Sequence, residues 1–180
     1  MDNQSAMSLF PFSFAKSNGL LFDGAANKLL HKNSSSEIMD GIEDVVGLDE
    51  AARDLSDNAD LLSGDDDAPV IKLLNAIFFE ALREKASDIH IEPYENEARI
   101  RFRLDGALRT VLSPPATIAP LIISRIKVLA KLDIAEKRVP QDGRMTVHLG
   151  GRAVDLRVST MPSSYGERVV LRLMDKNAGQ

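Results

Sequence analysis

The spacing of apolar residues changes along this chain, and the change restricts the fold more than any other feature. From Val70 to Leu82 apolar residues recur every three or four positions, the repeat of a helix with one buried face. From Ile89 to Leu173 most recur every second position, as in strands with one buried face. A second helical stretch lies within this part, with an apolar face of Ile122, Ile126, Leu129 and Ala130. The order predicts an α+β domain in which two helices pack on a mostly antiparallel sheet of about six strands.

Turn-forming residues divide the predicted strands. Asp105-Gly106 predicts a two-residue hairpin turn, and Gly150-Gly151 predicts another turn. The run of residues 140–143, Pro-Gln-Asp-Gly, predicts a break before the fourth strand. Asp67 is predicted to cap the first helix, since Asp is a preferred N-cap residue. Pro69 is compatible with this start, since proline is tolerated in the first helical turn.

Acidic and basic residues are concentrated in different parts of the chain. Residues 1–69 contain four Lys or Arg and fourteen Asp or Glu, whereas residues 70–180 contain eighteen and thirteen. Residues 33–67 are rich in Ser, Asp and Glu and have weak helical periodicity, which predicts a short acidic helical linker. The basic part is suited to an anionic partner, and the acidic part argues against nucleic acid as that partner.

Composition excludes several classes of protein. The 180 residues contain no Cys, which excludes disulfides, thiolate zinc sites and cysteine nucleophiles and favours a reducing compartment. Hydrophobic residues make up 44% and charged residues 27%, as in ordinary globular proteins. The acidic N-terminus lacks the features of a signal peptide, and no apolar run approaches the roughly 20 residues that span a bilayer.

Arginine is the most distinctive residue of the basic part. Eight arginines lie in or beside predicted strands: Arg99, Arg101, Arg103, Arg144, Arg152, Arg157, Arg168 and Arg172. Strand alternation places Arg157 and Arg172 on the face opposite their apolar neighbours. A guanidinium forks onto pairs of oxygens, so this face is suited to a nucleotide phosphate or an acidic protein surface. A solvated sheet face without a ligand is the alternative.

Other groups of polar residues give little support for chemistry. Asp88, His90 and Glu92 share one strand face, but side chains about 7 Å apart along a strand do not converge on one ion. We therefore predict no metal site and a hydrogen-bonding role for His90. The serines of residues 159–164 have no His base near them in sequence. No G-x-x-x-x-G-K-[ST] loop occurs in the 180 residues, so this chain alone is not expected to bind or hydrolyse ATP.

Five long blocks of sequence, in their order and spacing, carry a family resemblance. They are DDDAPVIKLLNAI (65–77), KASDIHIEP (85–93), IRFRLDGALRTVL (100–112), SRIKVLAKLDIAEKRVPQDGR (124–144) and GGRAVDLRVSTMPSSYGERVVLRLMDK (150–176). Together they resemble the type II secretion ATPases of the general secretory pathway E family, over about residues 60–176. So many blocks in register are far more specific than one short motif. The type IV pilus assembly ATPases are the next most similar family.

The resemblance implies a PAS-like middle domain over residues 68–176, with residues 177–180 beginning the linker to a RecA-like motor domain. In the family's homohexamers this domain docks on the motor domain, and some of its arginines approach the nucleotide phosphates. Arg157 in DLRVST and Arg172 in VVLRLM match those arginines. The implied role is to neutralise charge on the terminal phosphate and to couple nucleotide state to domain movement. ATP and Mg²⁺ are the cofactors of the complete family member.

The opening PFSFAKSNGLLF (11–22) resembles the start of the family's N-terminal domain. It implies that residues 1–32 are a shortened remnant of the domain that docks on the inner-membrane type II secretion assembly protein L. The implied location is cytoplasmic, peripheral to the bacterial inner membrane through partners.

The Walker motifs, the catalytic acidic residue and the four-cysteine zinc site of the family are absent from the 180 residues, so we assign no catalytic residue. The alternatives are a type IV pilus assembly ATPase fragment or a free-standing arginine-rich module that binds protein or RNA.

Overall fold

The computed structural model describes residues 47–57 and 67–174 as three α-helices and six strands. The elements are α1 (Leu48–Asp57), α2 (Ala68–Arg83), β1 (Asp88–Pro93), β2 (Ala98–Leu104), β3 (Ala107–Leu112), a 3₁₀ turn (Ala116–Ile118), α3 (Ala119–Leu129), β4 (Gln141–Leu149), β5 (Arg152–Ser163) and β6 (Gly166–Met174). The predicted α+β class, with helices on a six-stranded sheet behind a short acidic helix, is confirmed. The predicted N-terminal remnant, residues 1–32, and the linker start, residues 177–180, lie outside the described residues.

The six strands form one sheet in the order β3-β2-β1-β6-β5-β4, and every neighbouring pair is antiparallel. The sheet therefore consists of two meanders of three strands, which meet where β1 pairs with β6. In that pairing Ile89 lies opposite Leu171 and Asp88 lies opposite Arg172. Residues directly opposite each other in a sheet share a face, so the register fixes which side chains meet.

The helices cover the apolar face of the sheet. Helix α2 buries Leu73, Leu74, Ile77 and Phe78, and α3 buries Ile122 and Ile126. These side chains join Ile89, Ile91, Ile100, Phe102, Val158 and Leu171 of the strands in one hydrophobic core. The short acidic helix α1 packs on α2 and buries Ala51, Ala52 and Leu55. The opposite sheet face holds most of the strand arginines, whereas Arg109 and Arg152 lie opposite the core residues Phe102 and Leu149.

Several local predictions can be compared with the structure. The hairpin at Asp105-Gly106 is confirmed, and both residues have positive φ, 51° and 82°, which this tight turn requires. Asp67 does occupy the N-cap position of α2, but its side chain makes no capping hydrogen bond. Its carboxylate lies 3.5 Å from the Arg125 guanidinium instead.

The predicted chain break at residues 140–143 is wrong. Strand β4 already begins at Gln141, where it pairs with Thr160 of β5, and Gly143 lies inside the strand. A Cβ at Gly143 would lie 2.9 Å from the Ala130 carbonyl oxygen and 2.9 Å from Leu132. The glycine is therefore needed for a close approach of strand and loop and does not mark a turn.

Candidate functional site

A row of charged residues crosses the sheet on the face opposite the core. Arg144 of β4 lies opposite Arg157 of β5, and Arg157 lies opposite Arg172 of β6. Arg172 lies opposite Asp88 of β1, which in turn lies opposite Arg103 of β2. We call these five residues the cross-strand row. Neighbouring strands are about 4.8 Å apart, so the row brings four guanidinium groups to one band of the surface.

The two predicted site residues, Arg157 and Arg172, are brought together by this register. Both are exposed, and they lie directly opposite each other on neighbouring strands. Within residues 47–57 and 67–174 neither Arg144 nor Arg157 has a carboxylate within 4.0 Å, and both are exposed. Like charges directly opposite each other destabilise a sheet, and an anion placed over them would remove that repulsion. The geometry is suited to binding an anion.

Asp88 is the only acidic member of the row. It is 4% exposed, and its carboxylate accepts hydrogen bonds from the Ser87 hydroxyl at 2.8 Å and from Arg172 Nε at 3.0 Å. Arg103 Nε lies 3.5 Å from the same carboxylate. Burial alone would raise the pKa of Asp88, but the hydrogen bonds from Ser87 and Arg172 and the charges of the two arginines lower it below its ordinary value. Asp88 is therefore ionised at neutral pH.

A second cluster lies beside the row on the same face. The Glu92 carboxylate accepts hydrogen bonds from Arg101 at 2.6 Å and from the Tyr94 hydroxyl at 3.1 Å. Burial opposes ionisation, yet the contacts with Arg101 lower the pKa of Glu92. His90 Nδ1 lies 3.7 Å from Glu92, and burial is the main reason that the pKa of His90 is lowered. The stacking of Arg99 over the Tyr94 ring, 4.3 Å from the centroid, completes the cluster.

Each of the two acidic side chains of β1 has an arginine partner. The carboxylates of Asp88 and Glu92 are bound by arginines from neighbouring strands. In the described part of the chain no three His, Cys, Asp or Glu side chains are grouped to hold a metal ion. No helix in residues 47–57 and 67–174 has both the length and the apolar character needed to cross a membrane.

Sequence reasoning does not single out three members of the cross-strand row, Arg103, Arg144 and Asp88. Arg103 and Arg144 are among the arginines predicted to lie in or beside strands, but their cross-strand neighbours, Asp88 and Arg157, depend on the strand pairing. Asp88 was not recognised as the partner of Arg172, which is 84 residues away in sequence. Periodicity gives the face on which a residue lies, whereas only the strand order gives its cross-strand neighbour.

Comparison with known proteins identifies a family and several relatives of this chain. The model of the family described as "Type II/IV secretion system protein" matches residues 63–180. The type II secretion system protein E of Klebsiella pneumoniae is 57% identical over 164 residues, in an alignment that covers 88% of this chain and 33% of that protein. The type II secretion system ATPase E of Vibrio cholerae is 58% identical over 154 residues, in an alignment that covers 83% of this chain and 30% of that protein.

The α+β domain with an arginine-bearing sheet face is thus that of a secretion system protein, and the chain belongs to the type II/IV secretion system protein family. These two relatives are E proteins of type II secretion systems, which confirms the resemblance to the type II secretion ATPases. The chain spans about a third of the length of these relatives.

Proposed function

We propose that this chain is a non-catalytic N-terminal and middle portion of a hexameric ATPase that powers type II protein secretion. In this proposal Arg157 and Arg172 sense the terminal phosphate of a nucleotide held by a motor domain and couple its state to domain movement. The observation that supports the proposal most directly is the register of β5 and β6, which sets these two arginines opposite each other on the exposed face.

The electrostatics of the row support an anionic ligand. Arg157 has a like charge on either side, Arg144 and Arg172, and within the described residues it has no carboxylate within 4.0 Å. Repulsion between these neighbouring arginines destabilises the folded sheet, and an anion bound across them would reduce that repulsion. A guanidinium pair can bind several oxygens of one phosphate group, and it stabilises the charge that develops during phosphoryl transfer.

The cofactors, partners and location that we propose are those of the type II secretion ATPases. ATP and Mg²⁺ would be held by the RecA-like motor domain, since the P-loop is not in these 180 residues. The partners would be that motor domain, neighbouring subunits of a homohexamer and, through residues 1–32, the inner-membrane assembly protein L. The PAS-like middle domain would be residues 68–176, preceded by an acidic linker over residues 33–67. The assembly would lie on the cytoplasmic side of the bacterial inner membrane.

The test is a chimaera in which this chain replaces the matched segment of the Vibrio cholerae relative. Arg157→Ala or Arg172→Ala is expected to lower ATP turnover about 100-fold, within the range measured for groups that stabilise charge in a transition state. Both variants should still fold. The melting temperature of Arg157→Ala should stay close to that of the unsubstituted chimaera, because the side chain is exposed. Arg172→Ala should lower it, because the buried Asp88 loses a hydrogen bond.

The matched control is Arg109→Ala. Arg109 is an exposed strand arginine that lies opposite Phe102, a core residue, so it is on the other face of the sheet from the cross-strand row. Its removal should leave turnover within about twofold. Turnover that is unchanged by both Arg157→Ala and Arg172→Ala would refute the proposed role.

A further inference from the structure

Asp88 is unusual among the charged residues of the exposed face because it is almost completely buried. It is 4% exposed, whereas the side chain of its partner Arg172 is 69% exposed. A buried carboxylate costs free energy unless it is paired and hydrogen-bonded. An ionised Asp88 is therefore bound to its arginines and would repel a ligand anion, so it is unsuited to contacting a phosphate itself.

The contact with Arg172 uses one edge of the guanidinium. Arg172 Nε donates to Asp88 Oδ1 at 3.0 Å, and this is the hydrogen bond that the described residues provide for the Arg172 side chain. A guanidinium has five N–H donors in one plane. Among residues 47–57 and 67–174 the two terminal nitrogens of Arg172 have no hydrogen-bond partner, and the contact at Nε restrains the plane in which they point.

Arg103, on the other side of Asp88, is held differently. Its Nε lies 3.5 Å from Asp88, and its terminal Nη1 donates to the Gly106 carbonyl oxygen at 2.9 Å. The terminal fork of Arg103 is thus partly occupied by the hairpin turn. Of the two arginines that share Asp88, Arg172 is the one with both terminal nitrogens available to a ligand.

We propose that Asp88 is a positioning residue, which holds the guanidinium of Arg172 by Nε so that its terminal nitrogens face a phosphate group. The inference rests on the proposed function of Arg172. Asp88 acts through Arg172 and touches neither nucleotide nor phosphate. Preorganising the donor removes the cost of ordering a long side chain when the anion arrives.

The contact is tested first in the 180-residue chain by NMR of the arginine Nε–H groups. The Arg172 Nε–H signal, assigned with Arg172→Lys, should exchange with water at least about tenfold faster in Asp88→Asn. The matched control is Asp142→Asn, on the same face, where the carboxylate accepts a hydrogen bond from Ser159. That variant should leave the Arg172 signal unchanged. Equal exchange rates in wild type and Asp88→Asn would overturn the proposed anchoring.

The function is tested by a double-mutant cycle in the Vibrio cholerae chimaera. Asp88→Asn should lower kcat for ATP about tenfold when Arg172 is present and should have almost no effect in the Arg172→Ala background, because Asp88 acts through Arg172. The same fold-loss in both backgrounds would show a general structural effect and would overturn the inference. If Arg172→Ala alone leaves turnover unchanged, the proposed function of Arg172 fails. If Arg172→Ala lowers turnover but Asp88→Asn has the same effect in both backgrounds, only the positioning role of Asp88 fails.

A second variant avoids disturbing the buried carboxylate. Arg172→Lys keeps the positive charge at an exposed position but has no Nε to be held by Asp88. It should fold normally and lose turnover to within about threefold of Arg172→Ala. Full turnover of Arg172→Lys would show that charge alone is sufficient and that positioning by Asp88 is not needed.

Discussion

Hydrogen bonds and arginine charges favour the ionised form of the two acidic side chains of β1, Asp88 and Glu92. Asp88 and Glu92 are both largely withdrawn from water, which disfavours a charged carboxylate. Ser87 and Arg172 donate hydrogen bonds to Asp88 at 2.8 Å and 3.0 Å, and Arg101 donates to Glu92 at 2.6 Å. These hydrogen bonds, together with the arginine charges, outweigh the burial. The pKa of each carboxyl is lowered as a result. The fold therefore gains stability from the ionised form of both groups.

The pH dependence of stability should report the pairing of Asp88. Its folded-state pKa is lower than the ordinary value of 3.8, so its contribution is present above that value and is lost as the pH falls through the folded pKa. Asp88→Asn should cost about 2 kcal/mol of unfolding free energy between about pH 5 and pH 8 and progressively less below about pH 4. Urea denaturation of the 180-residue chain at a series of pH values measures this difference.

The control for the pH series is Asp142→Asn. The Asp142 carboxylate accepts a hydrogen bond from Ser159, so its removal should not change the pKa of Asp88. It should lower stability much less than Asp88→Asn at pH 7. A difference between wild type and Asp88→Asn that grows as the pH falls would contradict the pairing described for Asp88.

Sequence alone was sufficient for part of the site. Alternation within a strand placed Arg157 and Arg172 on the face away from the core, where the structure has them. Their role stays a prediction. Alternation could not reveal that Arg172 is held by Asp88, since that contact depends on the pairing of the first strand with the last. The same is true of Arg144, because its position opposite Arg157 depends on the pairing of β4 with β5.

At the scale of elements, the start of β4 shows why turn-forming residues mislead. Proline and glycine three positions apart normally indicate a loop. Here Pro140 precedes the first strand residue, and Gly143 lies where β4 passes close to the end of α3. The absence of a side chain, and not a special backbone angle, is what this position requires. Single-sequence patterns do not distinguish these two uses of glycine.

Gly143→Ala should destabilise the chain through this close approach. The new Cβ would lie 2.9 Å from a backbone oxygen, Ala130 O, and 2.9 Å from Leu132 Cδ2. The leucine can move aside more easily than the backbone, so we expect a loss of about 1–3 kcal/mol in unfolding free energy by urea denaturation. Gly47→Ala is the control, since a Cβ there would meet no atom within 4 Å. Equal stability of the two variants would contradict the packing described for β4.

At the scale of the whole molecule, the two meanders are joined by the pairing of β1 with β6. The sequence predicted three strands, a helix and three more strands, and this order is confirmed. It did not predict that β1 and β6 would meet at the centre. The contact between Asp88 and Arg172 crosses that seam, so the candidate site depends on the meanders being held together. Helix α3, which connects the meanders in sequence, also anchors to β6 by a buried ion pair.

That ion pair joins Lys127 of α3 to Glu167 of β6. The two side chains are 1% and 6% exposed, and Lys127 Nζ donates to Glu167 at 2.9 Å and to the Glu136 carbonyl oxygen at 2.6 Å. Lys127→Met leaves a buried carboxylate without its partner and should cost about 3–5 kcal/mol of unfolding free energy. Replacing both residues by Met should cost less than the single change, because no unpaired charge is left.

Urea denaturation of the 180-residue chain separates these cases. Lys72→Met is the matched control, because Lys72 pairs with Asp54 at 3.2 Å while both side chains are about half exposed, and its loss should cost at most about 1 kcal/mol. If Lys127→Met were no more harmful than Lys72→Met, the buried pair would not hold α3 on β6. If the double variant were as unstable as the single one, the loss would come from packing around α3, and the unpaired charge of Glu167 would not be its cause.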